Sequence, residues 1–599
     1  MVKKIEIVRE MYDMFQDLKS FLKRLQTENE LVTIQSEVDP ILEISEIAGR
    51  AVKENRPAIL FENVKGSNYP VVVNCLASER RIELALGRHP SQISEELYNL
   101  IDDLNPPKIK YFWDNRSTIF TMLKNIRPKF QRTKGQLNSY SDTNLDGIPI
   151  LKCWPNDAGR FITLPLVFTT DPVSNKANVG IYRMQVYDNM TTGLHMQIQK
   201  GGGFHYHNAE KLNVPLEVAV TIGNDPATLL SAIMPLPEGI DELMFAGLIR
   251  GGRTSLKKGE SVNLNYPANS EFVLEGFVRP GRRREEGPFG DHFGHYSLKS
   301  PHPIFEITKI LRKPHPIYAA TVVGRPPQED RYMGDAVQKI TKPFIRLLRK
   351  EVVDLWAYFE TGFHNLLVVA VEQRYAREAL KTAYGIFGEG QLSLTKTLIL
   401  VDGNVDPSDK TKVLQEIRRN FDSSKDFHLV SKTFIDTLDF TGESQHKGSK
   451  MIINATTYKE KIPRPKAVPI PANIEFLVKG IDKVRLIGNT LLVVQTKLDG
   501  KKIINDLVKH PLMKQLKIIV AVSDDIDIKN NTDLLWGIFT RFDPAIDVTF
   551  AKIDFDGIKP VYEGVMGIDA TWKSGYPEPL KMDESVIRKV ESNWDSYWN

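Results

Sequence analysis

The run FITLPLVFTTDP (Phe161–Pro172) is made of β-branched, aromatic and aliphatic residues closed by an Asp-Pro pair. Such side chains suit a pleated, half-buried surface and Asp-Pro initiates a turn, so the run reads as a strand that stops abruptly. Outward from it, VAVTIG (Val218–Gly223) and SEFVLEGFVRPG (Ser270–Gly281) repeat the pattern, and the stretch GIDELMFAGLIRG (Gly239–Gly251) has helical spacing instead. Residues from about 116 to 315 are therefore expected to form a β-rich barrel domain.

The flanks differ. Before it, at about residues 1–115, a charged amphipathic helix (MVKKIEIVREMYDMFQDLKSFLKRL), a Val38-Asp39-Pro40 turn, a second helix (Ile41–Asn55) and short strands (AILFENV, YPVVVNCLA) predict a small α/β domain. After it, at about residues 316–599, strands such as HNLLVVAVE and TKTLILVDG alternate with helices, which predicts an α/β layer. LVDGNVD (Leu400–Asp406) followed by INATT (Ile453–Thr457) is echoed by AVSDDID (Ala521–Asp527) and IDATW (Ile568–Trp572). These echoes predict a duplicated unit at about 390–460 and 515–575, with the proline-rich Lys461–Glu475 as linker. The fold class is thus multidomain α/β.

Lys and Arg number 79 against 75 Asp and Glu, a net charge of +4, too balanced over 599 residues to imply a nucleic-acid surface. The two cysteines, Cys75 and Cys153, offer no disulfide framework and no Cys-x-x-Cys motif, which fits a reducing compartment. With no signal-peptide core and no apolar run long enough to span a bilayer, the expectation is a cytoplasmic protein with at most peripheral membrane contact.

Three stretches carry chemistry. NVGIYRMQ (Asn178–Gln185) leads to HMQIQKGGGFH (His195–His205), where Lys200 and the glycines 201–203 suit either an anion cradle or a plain hairpin turn. Glu242 opens the helical stretch, as dipole complement or as ligand. In LEGFVRPGRRREEGPFGDHFGHY, Glu286 and Asp291 flank a Gly-Pro-Phe-Gly turn, where repulsion and desolvation would keep one protonated for proton transfer; the alternative is a surface turn in which Arg282, Arg283 and Arg284 pair with Glu285 and Glu286.

These stretches, with ISEIAGRA, AILFENVKG, IPILKCWPNDAG, IGNDPATLLSAIMPLPEG, TVVGRPPQED, IFTRFDPAID and MGIDAT, resemble the UbiD-like decarboxylases from about residue 15 to the C-terminus. The resemblance implies a central split β-barrel of flavin-reductase type that binds prenylated FMN. It implies catalytic Arg183, Glu286 and Asp291, with Arg183 orienting a substrate carboxylate, Asp291 donating a proton and Glu286 tuning it. Cofactor contacts fall on Ile181, Tyr182, Arg183, His195, Met196, Gln197, Lys200 and Gly201. A manganese or magnesium ion, with potassium as a further cation, would be held by Asn178 and Glu242. Gln199 stands where many members carry a His, so the metal is either kept through a carbonyl oxygen or loses a ligand.

The same resemblance implies a lyase that reversibly decarboxylates an aromatic, hydroxylated acid of the kind that precedes ubiquinone or menaquinone. A flavin prenyltransferase of the UbiX type would supply the cofactor. A terminal helix, ESVIRKVESNWDSYW, would reach a neighbouring subunit of a homo-oligomer, a dimer or hexamer. The competing reading is a catalytically silent subunit, or one component of a carboxylase complex.

Overall fold

The computed structural model of the chain describes residues 15–104, 116, 120, 126–130, 140–142, 144–197, 200–236, 240–457 and 474–598. Gln199, the first part of the N-terminal helix and nearly all of the expected linker lie outside these residues. Two compact units form, one of residues 1–341 with 579–599 and one of residues 342–578. The boundary between these units falls within the helix Glu329–Leu348, and the strand Tyr318–Ala319 pairs in parallel with Val71–Val73 and so belongs to the N-terminal sheet.

That sheet has four strands, in the order Leu31–Ile34, Ala58–Phe61, Val71–Val73, Tyr318–Ala319. The first two are parallel and joined by the helix Glu43–Lys53, whose Ile44, Ile47, Ala48, Ala51 and Val52 recur at helical spacing and are buried. The terminal helix Glu584–Asn593, expected to reach another subunit, packs on this same helix. Lys589 Nζ donates to Glu43 at 2.8 Å, Trp594 Nε1 to Glu54 at 3.1 Å, and the Arg50 guanidinium lies 4.2 Å from the Trp594 ring centre. Lys589 and Trp594 thus find hydrogen-bond and cation–π partners within the chain.

The central sheet runs Thr191–Gly193, Ser300–Arg312, Phe272–Glu286, Leu216–Ile222, Leu166–Thr170, Ala177–Ile181, with Tyr140–Asp142 beside Ser300–Arg312. Among the described residues this path has two ends and does not close, so no closed barrel is found among them. The ladder is broken where Pro165, which has no N–H to donate, interrupts its strand. Before the break Phe161–Ile162 pairs with Met184–Gln185; beyond it Leu166–Thr170 pairs with Ala177–Ile181. Tyr182 and Arg183 fall in the gap and are freed from strand pairing.

The second unit holds two five-stranded sheets of identical order. One is Val352–Ala357, Leu366–Val371, Thr397–Asp402, Lys447–Asn454, Phe427–Phe434; the other is Lys483–Ile487, Leu491–Thr496, Ile518–Ser523, Lys559–Ala570, Val548–Asp556. In both, antiparallel pairs flank two parallel ones. Corresponding turns match atom for atom: Asn454 Oδ1 accepts from the backbone and hydroxyl of Thr456, and Asp569 Oδ1 does so from Thr571. The sheets share one core, in which Ile399, Val401 and Ile453 meet Val520, Val522 and Ile568 around the fully buried Trp536. Reciprocal contacts tie them: Lys396 Nζ donates to the Phe542 carbonyl at 2.9 Å and Lys517 Nζ to the Phe421 carbonyl at 2.6 Å.

Candidate active site

Arg183 enters the first unit's interior from the strand gap and spreads its guanidinium over three partners. Nε donates to Glu286 Oε1 at 2.9 Å, Nη2 to Ser297 Oγ at 3.0 Å, and Nη1 to Asp291 Oδ2. Its Cζ lies 4.7 Å from the Phe289 ring centre, an apolar wall for the ion pairs. Burial opposes ionisation of Glu286, whose side chain is wholly buried, but the Arg183 charge and then His195 outweigh it and bring the carboxyl down to about 2. Burial of Asp291 is likewise outweighed by Arg183 and the His292 hydrogen bonds, leaving it far below the usual carboxylate range. The expectation that one of the two would stay protonated is therefore corrected for the unliganded protein, since the cation between them satisfies both.

Glu286 Oε2 accepts from His195 Nδ1 at 2.7 Å, and His302 Nε2 stands 3.7 Å from the same oxygen. The two imidazole rings lie 4.1 Å apart between centres, tilted by 30°. Burial and the neighbouring His195 push His302 down to about 3, so it stays neutral. The ligand-capable atoms of His195, Glu286 and His302 lie within 4.8 Å of one another.

The loop bearing Asp291 is clamped from behind. Asp157 takes the Gly290 N–H on Oδ1 at 2.7 Å and the Cys153 and Trp154 N–H groups on Oδ2, while burial pushes its carboxyl up to about 7. A Cβ at Gly290 would come within 2.1 Å of Trp154 Cδ1, so glycine alone lets the loop seat there.

A second group gathers beside Tyr182. The glycines at 201–203 are neither hairpin nor open loop; they begin the helix Gly201–Leu212. Gly202 N donates to Tyr182 Oη at 3.0 Å and Asn178 Nδ2 to the same oxygen at 3.4 Å. A Cβ on Gly201 would lie 2.0 Å from Asn178 Oδ1. Glu242 begins the helix Glu242–Arg250, accepts from the Val179 N–H, and is pushed up to about 7 by burial; burial and then the Glu242 charge raise Tyr182. Asn178, Tyr182, Gly201 and Glu242 thus come together, with Lys200 at the N-cap. Ile181 is partly buried and Met196 buried, while His195 and Gln197, both partly buried, fall on the segment that links the two groups.

Other charged groups are accounted for elsewhere. Arg282 pairs with Glu306 and Arg283 with Glu210, so the surface-turn alternative for Glu286 falls. Glu275 is fully buried and accepts from Tyr266, Ser261 and the Glu260 N–H, holding a loop. Sequence reading passed over Ser297, His302 and Asp157. Asp157 lies in the family-like stretch IPILKCWPNDAG, but nothing local marks His302, whose neighbours are two prolines.

Three family models match the chain: the Rift-related domain of 3-octaprenyl-4-hydroxybenzoate carboxy-lyase at residues 127–326, its N-terminal domain at 22–101, and its C-terminal domain at 331–455 with 475–570. A Chlamydia pneumoniae protein named as a subunit of 4-hydroxybenzoate decarboxylase is 37% identical over 587 residues, 97% of this chain and 98% of that one. A protein of Archaeoglobus fulgidus is 43% identical over 446 residues, 74% of this chain and 92% of that one. Among solved structures, Sedimentibacter hydroxybenzoicus vanillic acid decarboxylase in its closed form superposes with a TM-score of 0.67 at 27% identity, covering 78% of this chain and 98% of that one. A UbiD-class enzyme of Pelotomaculum thermopropionicum in complex with FMN shares the fold, with a TM-score of 0.62 at 24% identity over 77% of this chain and 98% of that one. Among the described residues no helix is long and apolar enough to cross a membrane.

Proposed function

The chain belongs to the UbiD family of carboxy-lyases, and from that premise we propose that it reversibly decarboxylates a hydroxylated aromatic acid with prenylated FMN and manganese or magnesium. The observation that carries this reading is Arg183 set between two ionised carboxylates in a buried, aromatic-walled site. The group beside Tyr182 fits a phosphate with its metal: a glycine-rich helix start, a glycine whose missing side chain leaves room over Asn178, and a desolvated Glu242. Asn178 and Glu242 would hold the metal, and Ile181, Tyr182, Met196 and Gly201 the flavin. When bound, the flavin supplies an electron sink for the carbon that loses CO2.

The chain's own residues do the rest. A substrate carboxylate competes for the Arg183 fork, where bidentate pairing fixes the acid's plane. Displaced from Arg183, Asp291 loses the charge that held it ionised, its proton affinity rises, and it becomes able to protonate the former carboxylate carbon. Glu286, kept charged by His195, retains Arg183 in place. Phe289 excludes water from the ion pairs.

A quinone precursor is the substrate class we favour, with a flavin prenyltransferase as cofactor source and the cytoplasm as location; the two matching sheets of the second unit are read as copies of one unit. Co-expression with a flavin prenyltransferase and manganese, followed by absorption and mass measurement of the released cofactor and a screen of phenolic acids for CO2 release, tests the proposal. Near-stoichiometric prenylated FMN with CO2 release from a hydroxybenzoate supports it; flavin-free, inactive protein overturns it. A second reading, one component of a multi-chain decarboxylase, draws on the Chlamydia pneumoniae relative, which is named as one subunit of its enzyme. Activity that appears only with a co-purifying small chain would favour it.

A further inference from the structure

Decarboxylation at neutral pH consumes a proton: the C–C bond breaks, CO2 leaves, and the electron pair left on the ring carbon takes up one hydrogen ion. With Asp291 as the donor of that ion, a difficulty arises, because Asp291 is ionised and nearly buried before substrate arrives. Something must load it on every turnover.

We propose that His292 is the residue that loads Asp291, passing solvent protons from its imidazole to Asp291 Oδ1. Arg183 engages Oδ2 of Asp291, and the other oxygen, Oδ1, is the one His292 addresses, through its backbone N–H at 2.7 Å and through ring Nδ1 at 2.7 Å. An ionised carboxylate only accepts, so Nδ1 must carry the hydrogen, which fixes the tautomer. The His292 side chain is about one-quarter exposed against 11% for Asp291, so the ring stands between bulk water and the acid. Among the described residues, charged groups whose fields reach the pair include Arg183, acting on Asp291, and Asp330, which lies in the first turn of the helix Glu329–Leu348 and interacts with both Asp291 and His292. Burial pushes Asp330 up to about 6, and the His292 charge draws it back down, so Asp330 and an imidazolium at 292 favour each other.

The step balances. When a substrate carboxylate takes the Arg183 fork, Asp291 becomes the stronger base; the Nδ1–H bond of the imidazolium breaks and an Oδ1–H bond forms, leaving a neutral imidazole with its hydrogen on Nε2. Asp291 then gives its Oδ1 hydrogen to carbon, and a hydronium or buffer acid in solvent loses the hydrogen that re-forms the Nδ1–H bond. No oxidant or further reactant is needed. Arg183 is thereby a trigger: the group that binds the acid also releases the proton acceptor.

The inference rests on the decarboxylase reading, and the experiment separates the two. Holoenzyme of wild type, His292→Gln and His292→Ala is compared with the best acid from the screen. Glutamine keeps a hydrogen-bond donor without a transferable proton, so kcat is expected to fall by about 10²-fold with flavin content unchanged and KM within about 3-fold. Added imidazole should restore His292→Ala, and the acid-favoured limb of the wild-type kcat profile should vanish in His292→Gln. Wild-type kcat and pH profile in His292→Gln, or a His292→Ala loss that imidazole does not touch, would overturn the relay while leaving the decarboxylase reading intact. A readout independent of turnover is the 15N spectrum of the free protein. A hydrogen on His292 Nδ1 that leaves when benzoate binds supports the relay, and a ring protonated on Nε2 alone defeats it even if no acid proves to be a substrate.

Discussion

Arg183 holds two carboxylates, one hydroxyl and one aromatic face at once, and each partner sets a different expected loss. Arg183→Ala should leave Glu286 and Asp291 as neighbouring buried charges; both turnover and flavin retention are expected to drop, the latter read as the ratio of flavin to protein absorbance. Asp291→Asn should keep flavin and lose about 10²- to 10⁴-fold in kcat, and full activity there would remove Asp291 as the donor. Glu286 also has a signature in stability. Its carboxyl titrates near 2 in the folded chain against an ordinary 4.5, so its pairing stabilises fully above pH 4.5 and is lost as pH falls towards 2. The Tm gap between wild type and Glu286→Gln should therefore narrow across that window. A constant gap would mean that the pair adds nothing specific to the ionised form.

Among elements, the strands were readable from their β-branched runs, but Phe161–Pro172 read as one strand, and the break that Pro165 makes in it, with its consequence, was not legible. That consequence depends on which segment lies across the sheet: Arg183 meets Glu286 over 103 residues of chain, a pairing no local pattern encodes. The glycines 201–203 misled for the opposite reason. Three consecutive glycines disfavour a helix by propensity; here close packing against Asn178 and Tyr182 requires residues without Cβ and overrides it. Gly201→Ala should thus displace Asn178 and reduce cofactor and metal retention while far-UV helicity stays near wild type. Gly290→Ala, which drives a methyl into Trp154, should misplace Asp291 and lower kcat far more than it lowers flavin content.

At the scale of the molecule, the echo between INATT and IDATW pointed to equivalent turns, whereas the strands that precede them, Val352–Ala357 and Lys483–Ile487, carry no shared wording and only the sheet order aligns them. The two reciprocal lysines differ in surroundings. Lys396 is fully buried and also pairs with Asp439 at 2.8 Å, so Lys396→Ala strands a buried charge and should cost about 3–5 kcal/mol in denaturant unfolding. Lys517 is only partly buried, and Lys517→Ala should cost about 1 kcal/mol. The reciprocal arrangement resembles the interface of a symmetric dimer, yet both halves are on one polypeptide. Covalent tethering presents each half to the other at a millimolar-scale local concentration, so dilution cannot part them. In a true dimer every substitution at the contact appears twice and must be compatible with itself. Here each appears once, so the two faces need not be compatible with themselves and their side chains can differ, as Lys396 with its Asp439 partner and Lys517 do, while the sheet order stays matched.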